Sequence, residues 1–327
     1  MKKLCTLIIA SLVFSCHASR LPKLTLDTSA VTVSGVSSGA YMASQLHIAH
    51  SDWVKGAGLI AGGPYYCAQN SLMTALAQCV NKRESADDLQ QINQQLSQWQ
   101  QQGKVAKLSH LSSSKVWLLH GSEDEKIHAA VTNDLVKQYQ QWLPSTQLHY
   151  VDDKPFAHHF PTLNIGSDCR QSESPFLGLC QYDAAGKMLS FMLADINAPT
   201  GKATGNVYQV SQQVVADTAA AGLAKNGYVY VPKDCASGKQ CQLHISFHGC
   251  NQNAEAVGRS YVDGVGLNRW ADSNHLVVLY PQTTSSNINP FNPQGCWDWW
   301  GYTNQDYATN AGLQTKAVVS LVESLTK

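Results

Sequence analysis

Residues 31–39 read Val31-Thr32-Val33-Ser34-Gly35-Val36-Ser37-Ser38-Gly39, a β-branched run that passes into a G-x-S-x-G pentapeptide, with Met42 and Leu46 following at helical spacing. Branched side chains favour an extended strand. Two glycines then permit the tight strand-to-helix turn that lifts a serine above the end of a sheet, at a helix amino terminus. Ser37 is the candidate nucleophile. Taken alone the pentapeptide specifies little, because Gly and Ser are also the ordinary residues of turns.

A serine hydroxyl needs a base to take its proton, and the base needs a carboxylate to hold its tautomer. In an α/β-hydrolase these follow in the order serine, acid, histidine. Val116 to Leu119 reads as a strand and ends in His120-Gly121-Ser122-Glu123-Asp124; Leu148 to Val151 leads to Phe156-Ala157-His158-His159-Phe160-Pro161-Thr162. Asp124 and His158 therefore stand where the acid and base are expected, with Glu123 and His159 as their nearest competitors. Other histidines, such as His47 and His244, have no comparable position and read as packed or surface side chains.

Further strand-like runs are Gly58 to Ala61, Tyr228 to Val231, Leu243 to Phe247 and Leu276 to Tyr280. Between them a 3.6-residue period links Leu89, Ile92, Leu96 and Trp99 within a Gln-rich stretch ended by Gly103, then Val131, Leu135, Tyr139 and Trp142, and finally Leu313, Ala317, Leu321 and Leu325. Strands separated by helices imply an α/β protein whose mainly parallel sheet is covered on both faces. Asn197 to Gly205, rich in Ala, Pro, Thr and Gly, reads as the connection between two halves, about 28–196 and 206–327.

The developing oxyanion needs preorganised donors. One is expected to be the N–H of Ser38. The second should come from a loop after an earlier strand, yet there is room for only one strand before Ser37. The missing pieces stand at the other end of the chain, where Leu243 to Phe247 runs into His248-Gly249-Cys250, Leu276 to Tyr280 forms a strand and Leu313 to Leu325 a helix. Read as a circle, the last helix feeds the strand before Ser37, so circular permutation restores the order of the fold. Cys250 then supplies the second donor, and an ordinary strand-end turn is the alternative for His248-Gly249.

The 327 residues carry 23 basic and 23 acidic side chains. Formal neutrality argues against a dedicated nucleic-acid binder, and 44% apolar content is enough to fold. Lys2 and Lys3 followed by the apolar run Leu4 to Phe14 read as a signal peptide over 1–18, cleaved after Ala18. Val13-Phe14-Ser15-Cys16 is a poor lipoprotein box, so a lipid anchor on Cys16 is the lesser alternative to a secreted or periplasmic form. Residues 19–327 are expected to form one catalytic domain and a monomer, without a transmembrane segment. Nothing after it reads as an appended binding domain. The eight cysteines outside the leader suggest a disulfide set: Cys67 with Cys79, Cys169 with Cys180, Cys235 with Cys241, and a longer bridge from Cys250 to Cys296. The last would draw Cys296-Trp297-Asp298-Trp299-Trp300 beside the catalytic centre. Without C-x-x-C pairs or an H-E-x-x-H motif, neither a metal nor another cofactor is expected.

Six separated motifs in one order resemble the polyhydroxybutyrate depolymerases, in particular the single-domain, circularly permuted type: Gly35 to Ala40, His120-Gly121-x-x-Asp124, Ala157-His158-x-Phe160-Pro161-Thr162, Cys180-Gln181-Tyr182-Asp183-Ala184-Ala185-Gly186, His248-Gly249-Cys250-x-Gln252 and Cys296-Trp297-Asp298-Trp299-Trp300-Gly301-Tyr302. The resemblance covers roughly residues 28 to 325. It implies a secreted serine esterase acting on poly(3-hydroxybutyrate) or its oligomers, with Ser37, Asp124 and His158 as triad and Ser38 and Cys250 as oxyanion donors. Ala157 and His159 depart from the small residues frequent in that motif, which leaves room for a different pocket shape.

A polyester is uncharged and water-poor, so its site should be an aromatic and aliphatic cleft. Trp297, Trp299, Trp300, Tyr302, Phe291, Tyr65 and Tyr66 are the candidate lining, each tryptophan being equally readable as core packing. The competing readings are a short-chain, feruloyl or acetyl-xylan esterase using the same triad, and a non-catalytic surface-binding protein that keeps the fold.

Overall fold

The computed structural model describes residues 20–82, 87–213 and 220–326. The expected leader over 1–18, with Cys16, lies outside them. The strands are β1 (Thr25–Val36), β2 (Val54–Ile60), β3 (Lys115–Leu119), β4 (Leu148–Val151), β5 (Phe160–Thr162), β6 (Ser167–Asp168), β7 (Leu177–Leu179), β8 (Asn206–Ser211), β9 (Asn226–Val231), β10 (Gln240–Phe247) and β11 (Leu276–Tyr280). The α-helices are α1 (Ser38–Ala49), α2 (Leu72–Gln78), α3 (Asp87–Gln101), α4 (Ala129–Tyr139), α5 (Ala184–Met192), the short α6 (Lys233–Ala236), α7 (Ala254–Val257) and α8 (Ser260–Gly264), then α9 (Leu267–Ser273) and α10 (Leu313–Leu325).

Eight strands form one sheet in the order β4-β3-β2-β1-β10-β11-β9-β8. All neighbours are parallel except β9, which runs antiparallel to both β11 and β8. Followed from β8 through α10 and then from β1 to β4, the strands take the α/β-hydrolase order, so the fold is the circularly permuted form. A second sheet, β5-β7-β6, holds two or three residues per strand beside the loop that carries His158.

The central position of β1 explains its composition. Val31 to Val36 are all buried, as expected of a strand covered on both faces. Every residue of α1 is buried too, and small residues bring that helix onto the sheet. A Cβ on Gly39 would lie 2.2 Å from the Phe247 carbonyl oxygen, and one on Gly35 would lie 2.2 Å from that of Gly39. The two glycines of the pentapeptide are thus demanded by backbones in contact. Gly39→Ala must push α1 off the end of β10, and we expect it to cost about 3 kcal/mol, the upper part of the usual overpacking range. A denaturation midpoint equal to wild type would contradict this.

In α3 Ile92, Leu96 and Trp99 are buried, the glutamines take the outer face, and Gly103, at φ 69°, follows its end. Trp142 lies just beyond α4 and packs edge-on against Tyr139. Several strands start earlier than their periodicity indicates. β1 starts at Thr25, its first three residues pairing with 240–242 before a register shift between Asp27 and Thr32, and β2 starts at Val54. β8 and the small sheet gave no usable signal, being an exposed edge strand and segments too short for a period. All four disulfides form in the expected pairing. No helix among the described residues is long and apolar enough to cross a membrane.

Candidate active site

Ser37 occupies the turn between β1 and α1 with φ 83° and ψ −116°, a conformation that L residues rarely adopt. Its own N–H donates to the Ile60 carbonyl (2.9 Å) and its carbonyl accepts from Tyr41 (3.1 Å), so the strain is held from both sides. Oγ lies 2.9 Å from His158 Nε2, and His158 Nδ1 lies 2.7 Å from Asp124 Oδ2. The other carboxylate oxygen accepts the N–H groups of Lys126 (2.8 Å) and Ile127 (3.0 Å). Burial pushes the Asp124 carboxyl upward, but the charge and hydrogen bond of His158 and the Ile127 N–H outweigh it and hold the group below the ordinary carboxylate value.

Loops after β3 and β4 bring these side chains together. They touch backbone to backbone at Gly121, where a Cβ would sit 2.0 Å from the Phe156 carbonyl oxygen. The competitors point elsewhere. His159 Nε2 is 2.7 Å from the Cys169 carbonyl oxygen, and Glu123 pairs with Arg170 near the surface.

The loop after β10 passes alongside the serine, and a Cβ on Gly249 would lie 3.5 Å from that of Ser37. Among the described residues no acceptor takes the N–H of Ser38 or of Cys250. Three constraints fix this loop. The Thr283 N–H donates to His248 Nε2 (3.2 Å), so Nδ1 carries the proton and donates to the Gly249 carbonyl (2.7 Å). Burial keeps that imidazole neutral by lowering its pKa to about 4. Gln252 Oε1 accepts the Gly249 N–H (2.8 Å), while its amide nitrogen donates to the carbonyls of Pro175 and Phe176. The Cys250–Cys296 bridge closes the largest of the four disulfide loops, 46 residues, a cross-link of about 4 kcal/mol on loop-closure grounds.

Ser37 and His158 open into a cleft of about 620 Å³ walled by Leu72, Leu76, Val80, Ile127, Phe176, Phe291, Trp299 and Trp300. Residues 226–327 match the family model described as Esterase PHB depolymerase. The chain is 34% identical over 322 residues to the polyhydroxybutyrate depolymerase of Talaromyces funiculosus, covering 94% of this chain and 93% of that protein. The chain belongs to the PHB depolymerase family. Members of this family are carboxylic ester hydrolases. The poly(3-hydroxybutyrate) depolymerase of Delftia acidovorans is 36% identical over 315 residues, and the chain spans 62% of that protein's length. Among solved structures, the PHB depolymerase from Penicillium funiculosum superposes with a TM-score of 0.85 at 33% identity, with 94% of this chain and 99% of that one covered. A serine-to-alanine PHB depolymerase complexed with an R3HB trimer gives 0.86 at the same identity and coverage.

In this member of the PHB depolymerase family, three of the seven candidate aromatics, Phe291, Trp299 and Trp300, line the cleft. The other four do not, and each has a packing reason. Trp297 is fully buried beneath the loop after β10, edge-on to Phe247. Tyr65 is fully buried, its hydroxyl donating to the Ala308 carbonyl. Tyr66 packs edge-on against Trp99. Tyr302 donates its hydroxyl to the Cys296 carbonyl and accepts from Gln314, and burial pushes its phenol far up. Asp298, also buried, accepts the N–H groups of Trp300, Gly301, Tyr302 and Thr303 and so shapes the loop that presents Trp299 and Trp300. Burial raises its pKa despite those donors.

Sequence reasoning did not single out the aliphatic wall on α2, nor the clamp made by Gln252. The first looks like any amphipathic segment, and the second depends on a loop 76 residues away. Among the described residues, two groups of side chains lie close enough to share a metal, His159 with Cys169 and Cys180, and Asp234 with Cys235 and Cys241. In each the two sulfurs are bonded to one another.

Proposed function

We propose that residues 19–327 form one exported catalytic unit, a serine esterase that hydrolyses poly(3-hydroxybutyrate) or its oligomers through an acyl-enzyme. The observation that carries this reading is the continuous hydrogen-bonded chain from Ser37 through His158 to Asp124 at an apolar cleft. Ser37 Oγ attacks the ester carbonyl as His158 Nε2 accepts its proton, and Asp124 holds the imidazole with Nδ1 protonated. The N–H groups of Ser38 and Cys250 receive the oxyanion. His158 returns the proton to the departing alcohol, and water then repeats the sequence on the acyl group. Export is supported by the four disulfides, which persist in oxidising compartments.

Substrate choice follows from the walls. An aliphatic and aromatic cleft suits a chain of methyl-bearing esters better than a sugar, whose hydroxyls would be left without partners. Named relatives that match over 94% of the chain support the same substrate. Phe291, Leu72 and Leu76 are exposed where they line the cleft, and we assign them contact with solid polymer. The test is turnover of a poly(3-hydroxybutyrate) suspension beside p-nitrophenyl esters of increasing chain length. The suspension is expected to clear. Cleavage of short soluble esters alone would favour the general esterase reading, and failure of an organophosphonate to label Ser37 would favour a non-catalytic binder. Mass spectrometry of the mature amino terminus decides between cleavage after Ala18 and a lipid on Cys16.

A further inference from the structure

Among the described residues, a cleft suited to an uncharged chain contains one permanent cation. Among the described residues that line it, Lys126 is the only lysine or arginine, and none is an aspartate or glutamate. Described cations of the flanking segments are paired: Lys82 and Lys137 with Asp134, Lys154 with Asp153, Arg170 with Glu123. The Lys126 ammonium is exposed and, among the described residues, lies within ion-pair distance of no carboxylate. The backbone that carries it is held against the candidate triad, since the main-chain N–H groups of Lys126 and Ile127 both bond to Asp124.

An apolar chain lying over that ammonium would strip water from it and return nothing, a net cost. The cost is offset only if the ligand brings an anion. A hydroxyacid polyester is neutral along its length but ends in one free carboxylate, and every hydrolysis creates another. The carboxylate already at the chain end always belongs to the fragment that departs as the alcohol, because the acyl fragment retained on the serine carries the hydroxyl end and gains its own carboxylate only when water releases it. We propose that Lys126 is a specificity-determining residue that binds the terminal carboxylate of an oligoester on the leaving-group side. Short free-acid chains are then cut at a set distance from their charged end. This inference rests on the hydrolase reading of the same cleft.

The test compares the 3-hydroxybutyrate trimer as free acid with its methyl ester, using the full chain. Wild type is expected to favour the free acid in kcat/KM by about 5-fold, the ratio for an ion pair open to solvent, carried by KM and shrinking as salt is added. Lys126→Met and Lys126→Gln should bring the ratio of the two substrates close to unity, while Lys126→Arg keeps it. The ratio is taken within each protein, so a change in folded fraction does not affect it. Equal wild-type rates on the two trimers, a preference insensitive to salt, or a ratio retained by Met and Gln would each overturn the proposal. Absence of wild-type activity on both trimers would instead remove the hydrolase reading itself.

Discussion

Ser37→Ala is expected to lower turnover of poly(3-hydroxybutyrate) and of p-nitrophenyl esters by on the order of a million-fold, the loss typical of removing a triad nucleophile. The fold should survive. Alanine keeps the Cβ, so the unusual φ of 83° costs it no more than it costs serine, and only the hydrogen bond to His158 is lost. That imidazole retains Asp124 as its partner on the other nitrogen. Thermal melting should match wild type within about 1 kcal/mol, the net worth of one such bond, and phosphonate labelling should vanish. Residual turnover within a hundredfold of wild type, with the variant folded, would remove Ser37 from the role.

Asp124→Asn tests the second link. An amide in that place no longer compels Nδ1 to carry the proton, and the imidazole can turn its N–H toward the serine it should deprotonate. Loss of about 10⁴-fold in kcat is expected, with KM little changed. The same substitution has a pH signature. The carboxyl of Asp124 is held below its ordinary value near 3.8 in the folded chain, so its charged form favours folding at all pH above that value. The contribution disappears as pH falls through the lower, folded value. Wild type should therefore exceed Asp124→Asn in stability at neutral pH and converge with it in strong acid. A gap that widens on acidification would reverse the sign and contradict the assignment.

How much of this was legible in the linear text varies with the kind of signal. Ser37 and Asp124 directly follow β-branched or aliphatic runs, and His158 lies on the loop after Leu148-His149-Tyr150-Val151; a strand ending at a loop is a local pattern. The same holds for the four disulfides, where three of the loops are short. The cleft lining was only partly legible, because a tryptophan run reads alike whether it faces core or solvent. Trp297 and Trp299 stand two residues apart, yet one lies under the loop after β10 and the other stacks on Tyr41 in the wall. Asp298 between them decides which way the chain turns, through bonds no periodicity announces. Edge strand β8 and the three short strands beside His158 escaped because they carry too few residues for a pattern to repeat.

The seam between β1 and β10 also sets a timetable for biosynthesis. β1 emerges from the ribosome with β2 soon after it, but the partner for its other edge, from Gln240 to Phe247, follows some two hundred residues later. Until then a central, apolar strand has one side of its ladder unpaired, the situation in which nascent chains adhere to one another. On the proposed route an amino-terminal fragment still lacks the loop at 248–250, which is made some two hundred residues after the serine. Chaperone demand during synthesis should therefore fall mainly on the stretch made between β1 and β10.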